Sequence, residues 1–555
     1  AYPKLVIATS EEMFRDFEQR YGDQIPTARG DFTPYWEDGA ASSARETALN
    51  RATADRLSQA EALFALRQPK AYPAEAFYDA WRNVILYDEH TWGAHNSISQ
   101  PDHPFVKSQW AIKQAFALEA DQQSRKLLAA ALDTGAMVEP PASGVNVIDV
   151  FNTTAQFIPW ALVVVPRELS TAGDGVSTLS TSRESMASQR LTTGELIFRP
   201  CIGSHSSTRY YISTNAPRRL AGQGAEAAGN ELRAANLRVR IDEKTGAIVS
   251  LRYGQKDYEL VNTNVSSGLN DYFYLPGSDL KNVQRNGPVQ ISVKETGPLI
   301  ASLLIESDAP GCHKLRREVR LHALRNYVEI IDTVDKRAIR EKEGVHFGFA
   351  FNVPEGQVRM DVPWAVVRPE LDQIPGACKN WFTVQRWVDI SNQDFGVTWL
   401  TPDAPLVQVG GMTANLIGSL PDPRVWRDRL EPSQTIYSWA MNNHWHTNYR
   451  AEQDGPTVFR YYLFPHAGGF SSPQAARLAV EQAQPLIVTA ARQEPARVAV
   501  PRLSNSEVQL TALKPSDDGK GIILRLFGVS GKDATTQIEW SPKQEPALWR
   551  CDFGE

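Results

Sequence analysis

Residues 81–102, WRNVILYDEHTWGAHNSISQPD, join the end of an apolar helix to a run of polar and aromatic side chains. Phe77, Trp81, Val84 and Ile85 recur at helical spacing, which predicts a helix that buries one face. The far end of this helix presents seven groups able to contact a ligand, a proton or a metal: Tyr87, Asp88, Glu89, His90, Trp92, His95 and Asn96. Their convergence indicates a functional site. The alternative interpretation is a polar helix cap over a tight turn at Trp92-Gly93.

Two further helices flank this stretch. Ser43 and Glu46 have the spacing of a capping box, and an apolar stripe follows them until Pro69. On the other side, residues 105–132 carry a third stripe that includes Ile112, and Thr134-Gly135 closes it. Since the connections are short, residues 41–135 are predicted to form a three-helix bundle.

The hydrophobic period changes to that of strands near Val145. Leu237–Ile241 and Ile248–Leu251 flank a hairpin signal at Thr245-Gly246, and similar alternation recurs as far as residue 526. The predicted fold class is therefore α+β multidomain, mainly β, with large antiparallel sandwiches. The predicted units are a small sandwich at 136–230, a large sandwich at 231–485 and a C-terminal β domain at 486–555, with a linker at 216–230 and one late helix at 473–484.

Residues 1–40 are interpreted as the C-terminal end of an α/β domain. Leu5–Ile7 is predicted to be a strand, and residues 11–22 an amphipathic helix that buries Phe14, Phe17 and Tyr21. The sequence begins without an initiator methionine or a signal peptide, so earlier units of this domain are expected upstream.

Composition narrows the range of partners. The 555 residues carry 58 Lys and Arg against 64 Asp and Glu, a net charge of -6 without a long basic run, which argues against nucleic acid. Apolar runs stay well short of the roughly 18 residues of a transmembrane helix. The four cysteines, Cys201, Cys312, Cys378 and Cys551, form no CxxC motif, and their pairing stays open.

Seven local motifs follow one another along the chain: SSA at 42–44 with QAEAL at 59–63, WRNVILYDEH at 81–90, VIDVFN at 147–152, SQ at 188–189, the hairpin at 245–246, MNNHWHTNY at 441–449, and ALKP at 512–515. In this order they resemble the C-terminal part of glycoside hydrolase family 38, the α-mannosidases. The resemblance implies a retaining glycosidase that acts on a glycan or oligosaccharide with a nucleophilic carboxylate, a second carboxylic acid and a divalent metal, usually zinc.

The same resemblance implies that the catalytic barrel lies upstream of this sequence. Both catalytic carboxylates and most metal ligands would belong to that missing N-terminal catalytic domain, so no nucleophile or acid/base is assigned among these residues. Where the family pattern has a metal-binding His shortly before Gly39, this sequence reads Tyr35-Trp36-Glu37-Asp38. A carboxylate binds zinc or calcium, so Asp38 or Glu37 could replace that ligand, and Asp38 is the one predicted. The alternatives are loss of the metal, or an acidic turn that caps the next helix.

The predicted substrate-binding residues come from three segments: Asp31, Asp38, His90, Trp92, Asn443, Trp445 and Asn448. Flat aromatic faces suit sugar rings. His444 and His446 are expected to share one face of a strand with Trp445 opposite, a spacing that can bind a metal. For His90 and His95, the functional interpretation is a hydrogen bond across the interface with the barrel; for His90, a buried imidazole bonded to a backbone carbonyl is the alternative.

Two other functions are compatible with helices followed by β-sandwiches. A polysaccharide lyase would use Tyr87, His90, Asn96 and Tyr449 to neutralise a uronate and abstract its proton. A carbohydrate-binding module would need no catalytic group. The glycosidase interpretation instead predicts that Asp31, Asp38 and residues 81–102 share one face. A periplasmic or secreted location is favoured over a cytoplasmic one, and the oligomeric state stays open.

Overall fold

The computed structural model describes residues 3–33, 36–156, 158, 161–179, 185–220, 224–266, 268–323, 325, 327–413, 427–493, 501–539 and 547–551. Helices occupy the first quarter of the chain and antiparallel sheets most of the remainder, which confirms the predicted α+β fold class. Tyr35 and residues 221–223 of the predicted linker lie outside the described residues.

The helices are α1 (Ser10–Tyr21), α2 (Ala44–Arg67), α3 (Ala74–Asp88), α4 (Pro104–Leu132) and α5 (Ser472–Ala483). Helices α2, α3 and α4 pack around one apolar core that includes Leu57, Phe77 and Leu127. Two apolar residues predicted to be buried are instead exposed, Ile85 by 66% and Ile112 by 61%. The adjacent residues Val84 and Lys113 face inward instead. A spacing of four residues exceeds one helical turn of 3.6 residues, so side chains repeated at that spacing gradually rotate away from the buried face.

The capping box predicted at the start of α2 is wrong. Ser43 makes no cap hydrogen bond, and its hydroxyl pairs with the hydroxyl of Tyr87 at 2.8 Å. Glu46 accepts a hydrogen bond from Gln114 at 2.6 Å instead of reaching back to the helix start. Tertiary partners therefore outcompete the local cap. A capping box does form at α1, between Thr9 and Glu12.

The strands fall along the chain in four runs. The first run is β1 (Asn146–Asn152), β2 (Val163–Val165), β3 (Gly175–Ser177), β4 (Ser188–Arg190), β5 (Leu196–Phe198) and β6 (Ser206–Ser213). The second is β7 (Glu226–Ala228), β8 (Glu231–Ala234), β9 (Leu237–Ile241), β10 (Ile248–Tyr253), β11 (Tyr258–Glu259), β12 (Leu269–Pro276), β13 (Val289–Thr296), β14 (Ile300–Ser307), β15 (Cys312–His322), β16 (Tyr327–Lys336), β17 (Glu343–Ala350), β18 (Gln357–Val362) and β19 (Ala365–Val367).

The third run is β20 (Phe382–Thr383), β21 (Trp387–Ser391), β22 (Phe395–Leu400), β23 (Leu406–Val409), β24 (Thr435–Asn442) and β25 (Gly455–Ala467). The fourth is β26 (Ile487–Ala490), β27 (Arg502–Leu503), β28 (Val508–Pro515), β29 (Ile522–Gly528) and β30 (Ile538–Glu539). The predicted hairpin at Thr245-Gly246 joins β9 to β10.

Two large antiparallel sheets form the main sandwich. One runs β20-β23-β24-β17-β12-β10-β9-β8-β7, with β11 paired to β10, and the other β13-β14-β15-β16-β25-β22-β21-β18-β19. Their inner faces share one core, in which Phe347, Trp399 and Tyr461 are buried. Strands β17 and β24 are buried on both faces, since the 3₁₀ segment Trp36–Ser43 contacts β24 from outside. That cover places the start of the bundle against the sandwich.

The small β domain is built from two parts of the chain. Its four-stranded sheet runs β26-β1-β6-β3, and a three-stranded sheet, β2-β5-β4, packs against it through a core that includes Ile148 and Phe198. Strand β26 comes from residues that the sequence assigned to the C-terminal domain, and Ala490 pairs with Ile148. Strand β7, assigned to the small domain, pairs instead with β8 of the large sheet.

The N-terminal segment forms no strand at Leu5–Ile7, where prediction placed one. A strand requires a ladder partner, and these residues are exposed, Ile7 completely. Helix α1 is present, but the apolar side chains Phe14, Phe17 and Tyr21 are exposed by 60%, 49% and 44%. The helix buries none of its residues within the described structure. Across that described structure, no helix has the length and apolarity that a membrane crossing requires.

Candidate functional site

Three segments far apart in sequence meet at the predicted site: the 3₁₀ segment Trp36–Ser43, the loop 89–97 after α3, and the loop 443–453 after β24. Asn442 donates a hydrogen bond to the Asp38 carbonyl at 2.9 Å. The Gln453 side chain accepts from the Ala44 amide at 2.8 Å and donates to the Ala41 carbonyl at 2.9 Å. These bonds attach the bundle entry to the sandwich.

Asp38 lies at the centre of this junction and is fully buried. The Tyr449 hydroxyl donates a hydrogen bond to one carboxylate oxygen of Asp38, and the other oxygen has no hydrogen-bond partner among the described residues. Burial raises the pKa of Asp38 to about 7, against which the Tyr449 hydrogen bond acts. Burial also raises the pKa of Tyr449 well above its ordinary value. Asp38 in this acidic turn is therefore buried and hydrogen-bonded to Tyr449, and it is not a solvent-exposed helix cap.

Gly39 permits the closest approach between these segments. A Cβ on Gly39 would lie 2.2 Å from Trp92 Cε3 and 2.7 Å from Tyr449 Cε1, distances that real side chains do not adopt. The sequence signal was the glycine itself, but its partners come from two distant loops. Trp92 and Tyr449 thus pack directly on the backbone at residue 39, with their rings edge to face at 5.7 Å.

An aromatic surface covers this junction. We define the aromatic cluster as Trp36, Trp92, Trp445 and Tyr449, of which Trp92, Trp445 and Tyr449 are buried and Trp36 is 39% exposed. Trp36 lies 5.8 Å from the Trp445 ring and 5.8 Å from the His90 ring. Trp36 was not among the predicted site residues, although it precedes the acidic pair directly. It is the most exposed member of the cluster.

The two predicted asparagines have mainly structural partners. Asn443 is buried, donates to the carbonyls of Ile339, Glu341 and Ala451, and accepts from the Glu343 amide. Asn448 accepts from the Trp445 indole at 3.1 Å and has a left-handed backbone, φ 41°. Asn443 therefore fixes the loop, while Asn448 remains partly exposed beside Trp445.

The expectation that His444 and His446 share one face is wrong. Strand β24 ends at Asn442, so the alternation of strands does not extend to these residues. His444 is fully buried near Trp439, with ring centroids 5.9 Å apart, whereas His446 is exposed beside Trp445. Both His444 ring nitrogens lack a hydrogen-bond partner among the described residues, and burial lowers the pKa of His444 to about 3.

His90 and His95 are both exposed, so the buried interpretation of His90 is wrong. His90 contacts the Glu89 carboxylate through Nδ1 and the Trp36 ring through its edge. The backbone carbonyl of His95 accepts a hydrogen bond from Thr447. This contact joins the loop after α3 to the loop after β24.

Asp31 lies beside this junction rather than within the aromatic cluster. Its backbone forms a bridge with Gln373, and its carboxylate accepts from the Thr33 amide at 3.1 Å. The structure thus brings Asp38, His90, Trp92, Asn443, Trp445 and Asn448 together and leaves Asp31 at the periphery.

Lys113 was missed by the sequence interpretation. The ammonium group donates to the carbonyls of Leu86 at 3.1 Å and Glu89 at 2.7 Å, at the C-terminal end of α3. A cation is favourable there because the terminal carbonyls carry partial negative charge. Burial lowers the pKa of Lys113 to about 8. A lysine on a helical stripe carries no specific signal, so sequence alone could not place it.

A small pocket of about 300 Å³ opens behind the aromatic cluster. Trp92 and Tyr449 form one wall, and Trp110 forms another, with the Arg450 guanidinium 4.4 Å above its ring. At its rim, Arg340 pairs with Asp102 at 2.7 Å and with Glu452 at 3.0 Å. This pocket is large enough for one small ligand.

The described residues do not form a metal site by themselves. Zinc requires three or four nitrogen, oxygen or sulfur ligands. Among the residues that the structure describes, no three His, Cys, Asp or Glu side chains are grouped to hold an ion. The Asp38 carboxylate is shared with Tyr449, and Glu37 accepts a hydrogen bond from Thr383 at 2.7 Å. Asp38 as a metal ligand stays a prediction. The four cysteines are free.

The lyase alternative is not compatible with the positions of its tyrosines. The Tyr87 hydroxyl is buried between Ser43 and Thr47, at 2.8 and 3.0 Å, and burial raises its pKa. Tyr449 is also fully buried. A base that abstracts a proton from a polymer must reach that polymer, and neither phenol does.

Two models of one protein family match parts of the chain. The family model described as "Glycosyl hydrolases family 38 C-terminal domain" matches residues 232–404, and "Glycosyl hydrolases family 38 C-terminal beta sandwich domain" matches residues 507–555. No curated protein sequence matches the chain. These matches support an α-mannosidase-like C-terminal part of family 38.

Solved structures show the same fold. An α-mannosidase from Enterococcus faecalis V583 is 14% identical, with a TM-score of 0.69, and the match covers 95% of this chain and 68% of that chain. A glycosyl hydrolase family 38 protein from Enterococcus faecalis is also 14% identical, with a TM-score of 0.67 over 95% of this chain and 69% of the other. At this identity the likeness concerns the fold alone.

Proposed function

We propose that this chain is the C-terminal portion of a retaining exo-glycosidase of the α-mannosidase type, which acts on glycans. The observation that carries this proposal is the pair of family 38 C-terminal matches, in family order, at residues 232–404 and 507–555. The fold supports it, but a fold alone does not specify a reaction.

The proposal assigns the catalytic carboxylates to an N-terminal catalytic domain. Retention requires two carboxyl groups about 5–5.5 Å apart and open to the sugar. The two acidic residues at the junction, Glu37 and Asp38, are instead engaged by Thr383 and Tyr449 of this chain. Their role is to hold the three segments together rather than to attack the substrate.

Two exposed surfaces are suited to contact that domain. Helix α1 presents the uncovered apolar side chains Phe14 and Phe17, which are expected to be buried by a protein partner. Trp36 and His90 form an exposed polar-aromatic edge above the aromatic cluster. We propose that this edge, with Asn448, borders the sugar-binding site, since an aromatic face and nearby polar groups suit a sugar ring.

The test begins with the protein isolated from its natural source. Its intact mass is compared with the 61.7 kDa of these 555 residues, and it is incubated with an aryl α-mannoside and a panel of other aryl α-glycosides. We expect a larger mass and hydrolysis, with the α-anomer of the sugar appearing first in proton NMR spectra.

Two results would oppose the proposal. First release of the β-anomer would show inversion and exclude the retaining mechanism. Absence of hydrolysis across the panel, combined with binding to immobilised glycans, would instead support the carbohydrate-binding module.

A further inference from the structure

A second cleft lies away from the aromatic cluster and shares no lining residue with the pocket behind it. Its volume is about 1210 Å³, larger than most small-molecule pockets. Its walls come from the β18–β19 hairpin, from α5 with the segment before it, and from β28 and β29 of the C-terminal domain. Clefts between such units are common ligand sites.

Trp364 stands at the mouth of this cleft under backbone strain. It occupies the second position of the two-residue turn between Val362 and Ala365, which pair in the hairpin. Pro363 before it and a φ of 67° at Trp364 indicate a type II turn, in which this position normally requires Gly or Asn. A bulky residue there is an outlier, and such outliers cluster at functional sites.

The Trp364 indole is nevertheless packed on one side only. The residue is 67% exposed, and its ring meets Phe527 of the opposite wall edge to face, with centroids 5.3 Å apart. The strained turn therefore places a largely exposed indole in the lining of the cleft. A flat, exposed indole is the side chain that stacks best on the apolar face of a ring.

The cleft interior is polar but nearly without free charge. Of its described lining residues, fifteen carry a hydroxyl or amide side chain, and Asp361, Arg386 and Arg477 carry carboxylate or guanidinium groups. Arg386 is paired with Asp55 at 2.5 Å, and Arg477 lies 3.8 Å from Glu481. Because each guanidinium has a carboxylate nearby, the cleft offers little net electrostatic attraction to a charged ligand.

Three polar atoms in the lining lack hydrogen-bond partners among the described residues: Gln156 Oε1, Arg477 Nε and Gln509 Nε2. All three atoms are buried, and an unpaired buried donor or acceptor costs about 1–3 kcal/mol. A ligand rich in hydroxyl groups suits a lining that contains both donors and acceptors, because each hydroxyl both donates and accepts.

We propose that this cleft binds a neutral oligosaccharide, with Trp364 as its stacking platform and the amide and hydroxyl groups of the lining as its hydrogen-bond partners. The inference goes beyond the proposed hydrolase function and does not depend on it. A proline-rich peptide also docks against aromatic residues, but it offers few hydroxyls to the lining. The sugar therefore fits the observations better.

The experiment uses the full chain and neutral oligosaccharides of three to five hexose units, α-linked and β-linked. Binding is measured by calorimetry and by saturation-transfer NMR for the wild type, Trp364→Gly and the control Trp549→Ala, whose indole is 84% exposed elsewhere. Trp364→Gly is expected to weaken binding by about tenfold or more, as loss of a central aromatic anchor does. Trp549→Ala is expected to bind like the wild type.

The melting temperature separates this role from a structural one. Glycine accepts a positive φ without strain, so Trp364→Gly should melt at or above the wild-type temperature if the indole serves a ligand. A lower melting temperature would assign the indole to packing and oppose the proposal. Gln509→Leu, on the opposite wall, tests the polar lining and should also weaken binding.

Three binding results would overturn the proposal: no affinity for any neutral oligosaccharide of the panel, unchanged affinity in Trp364→Gly, or tighter binding of uronate oligosaccharides or a proline-rich peptide. Hydrolysis of the aryl α-mannoside is assayed separately on the isolated protein. If hydrolysis fails while oligosaccharide binding is intact, only the proposed glycosidase function is contradicted. If hydrolysis occurs but the cleft binds no oligosaccharide, only the proposed binding in the cleft is contradicted.

Discussion

The hydroxyl of Tyr449 donates a hydrogen bond to the carboxylate of Asp38, 411 positions earlier in the chain. The Trp36 carbonyl oxygen lies 3.1 Å from the same hydroxyl, so the two acceptors share its one hydrogen. One phenol thereby links the loop after β24 to the entry of the helical bundle. Because Asp38 is fully buried, the link is not weakened by solvent.

Replacing Tyr449 by Phe should destabilise the protein by about 1–3 kcal/mol, since the buried Asp38 carboxyl loses its donor. Denaturant unfolding at pH 7 measures this change. Tyr78→Phe is the matched control, because Tyr78 is 69% exposed. Equal unfolding midpoints for the two variants would show that the Asp38–Tyr449 hydrogen bond contributes nothing.

Asp38→Asn should change how stability depends on pH. Burial raises the pKa of Asp38 from 3.8 to about 7 in the folded state, so only the folded state retains the proton between these values. The resulting stability is present below about pH 4 and is lost as the pH rises to about 7, by about 4 kcal/mol in total. Asn cannot ionise, so the variant should gain stability relative to the wild type over this interval.

Urea unfolding at pH 4.5, 6 and 7.5 provides the measurement for Asp38→Asn. Comparing each pH with the wild type removes the contributions of other buried groups. A difference between the two proteins that is constant across pH would mean that Asp38 is ionised throughout, contrary to its environment.

His444→Phe should reduce the loss of stability in acid. The wild-type residue acts in the opposite direction to Asp38, because its contribution to stability is lost as the pH falls. Burial lowers the pKa of His444 to about 3, so the unfolded state takes up the proton first as the pH falls below about 6.5. The wild type should then lose about 2 kcal/mol from this residue between pH 6.5 and pH 5. Phe lacks the titrating ring nitrogens, so unfolding of the variant at pH 7 and pH 5 should differ by correspondingly less.

His346 offers an internal check on that result. It is fully buried beside Trp439, and burial lowers its pKa to about 3 as well. His346→Phe should reproduce the reduced acid sensitivity. If neither variant differs from the wild type in its pH dependence between pH 5 and pH 7, the two imidazoles must titrate in the folded protein as they do in the unfolded one.

Gly39→Ala should disrupt the junction by steric overlap. The new Cβ would lie 2.2 Å from Trp92, which forces the indole or the loop to move at a cost of about 1–3 kcal/mol. Tryptophan fluorescence and hydrogen exchange of residues 89–97 report the displacement. Gly22→Ala is the control, since its Cβ would have no neighbour within 4 Å. Identical exchange in both variants would contradict the observed packing.

Trp36→Ala, produced in the whole protein together with its catalytic domain, tests the proposed sugar-binding edge. We expect kcat/KM for a glycan substrate to fall about tenfold through loss of a central aromatic contact, with an unchanged melting temperature. Trp549→Ala should retain wild-type kinetics. A fall in melting temperature of the Trp36 variant would instead identify a packing role.

Local patterns predicted elements well and junctions poorly. The alternation LRVRI at residues 237–241 coincides with β9, because one face of that strand is buried and the other exposed. Ser43 and Glu46 have the spacing of a capping box, but their side chains form hydrogen bonds with Tyr87 and Gln114 instead. A local rule fails where a distant partner offers a better hydrogen bond.

The candidate site shows the same limit. Asp38, Trp92 and Trp445 could each be selected from sequence as unusual polar or aromatic residues, but their contact passes through Gly39 and Tyr449. His444 and His446 were misplaced because the end of β24 at Asn442 is set by its pairing with Gly344. Pairing between distant strands is not visible in a single local pattern.

The small β domain depends on strand β26, which arrives from beyond the large sandwich to pair Ala490 with Ile148. During synthesis, β1 is made early, and it can pair with β26 only after that late strand has left the ribosome. Until then one edge of its sheet is open, and open edges favour pairing with other chains. A polypeptide truncated before Ile487 should therefore aggregate although the whole large sandwich is present. The small β domain can thus complete its sheet only after the segment that begins at Ile487 has been synthesised.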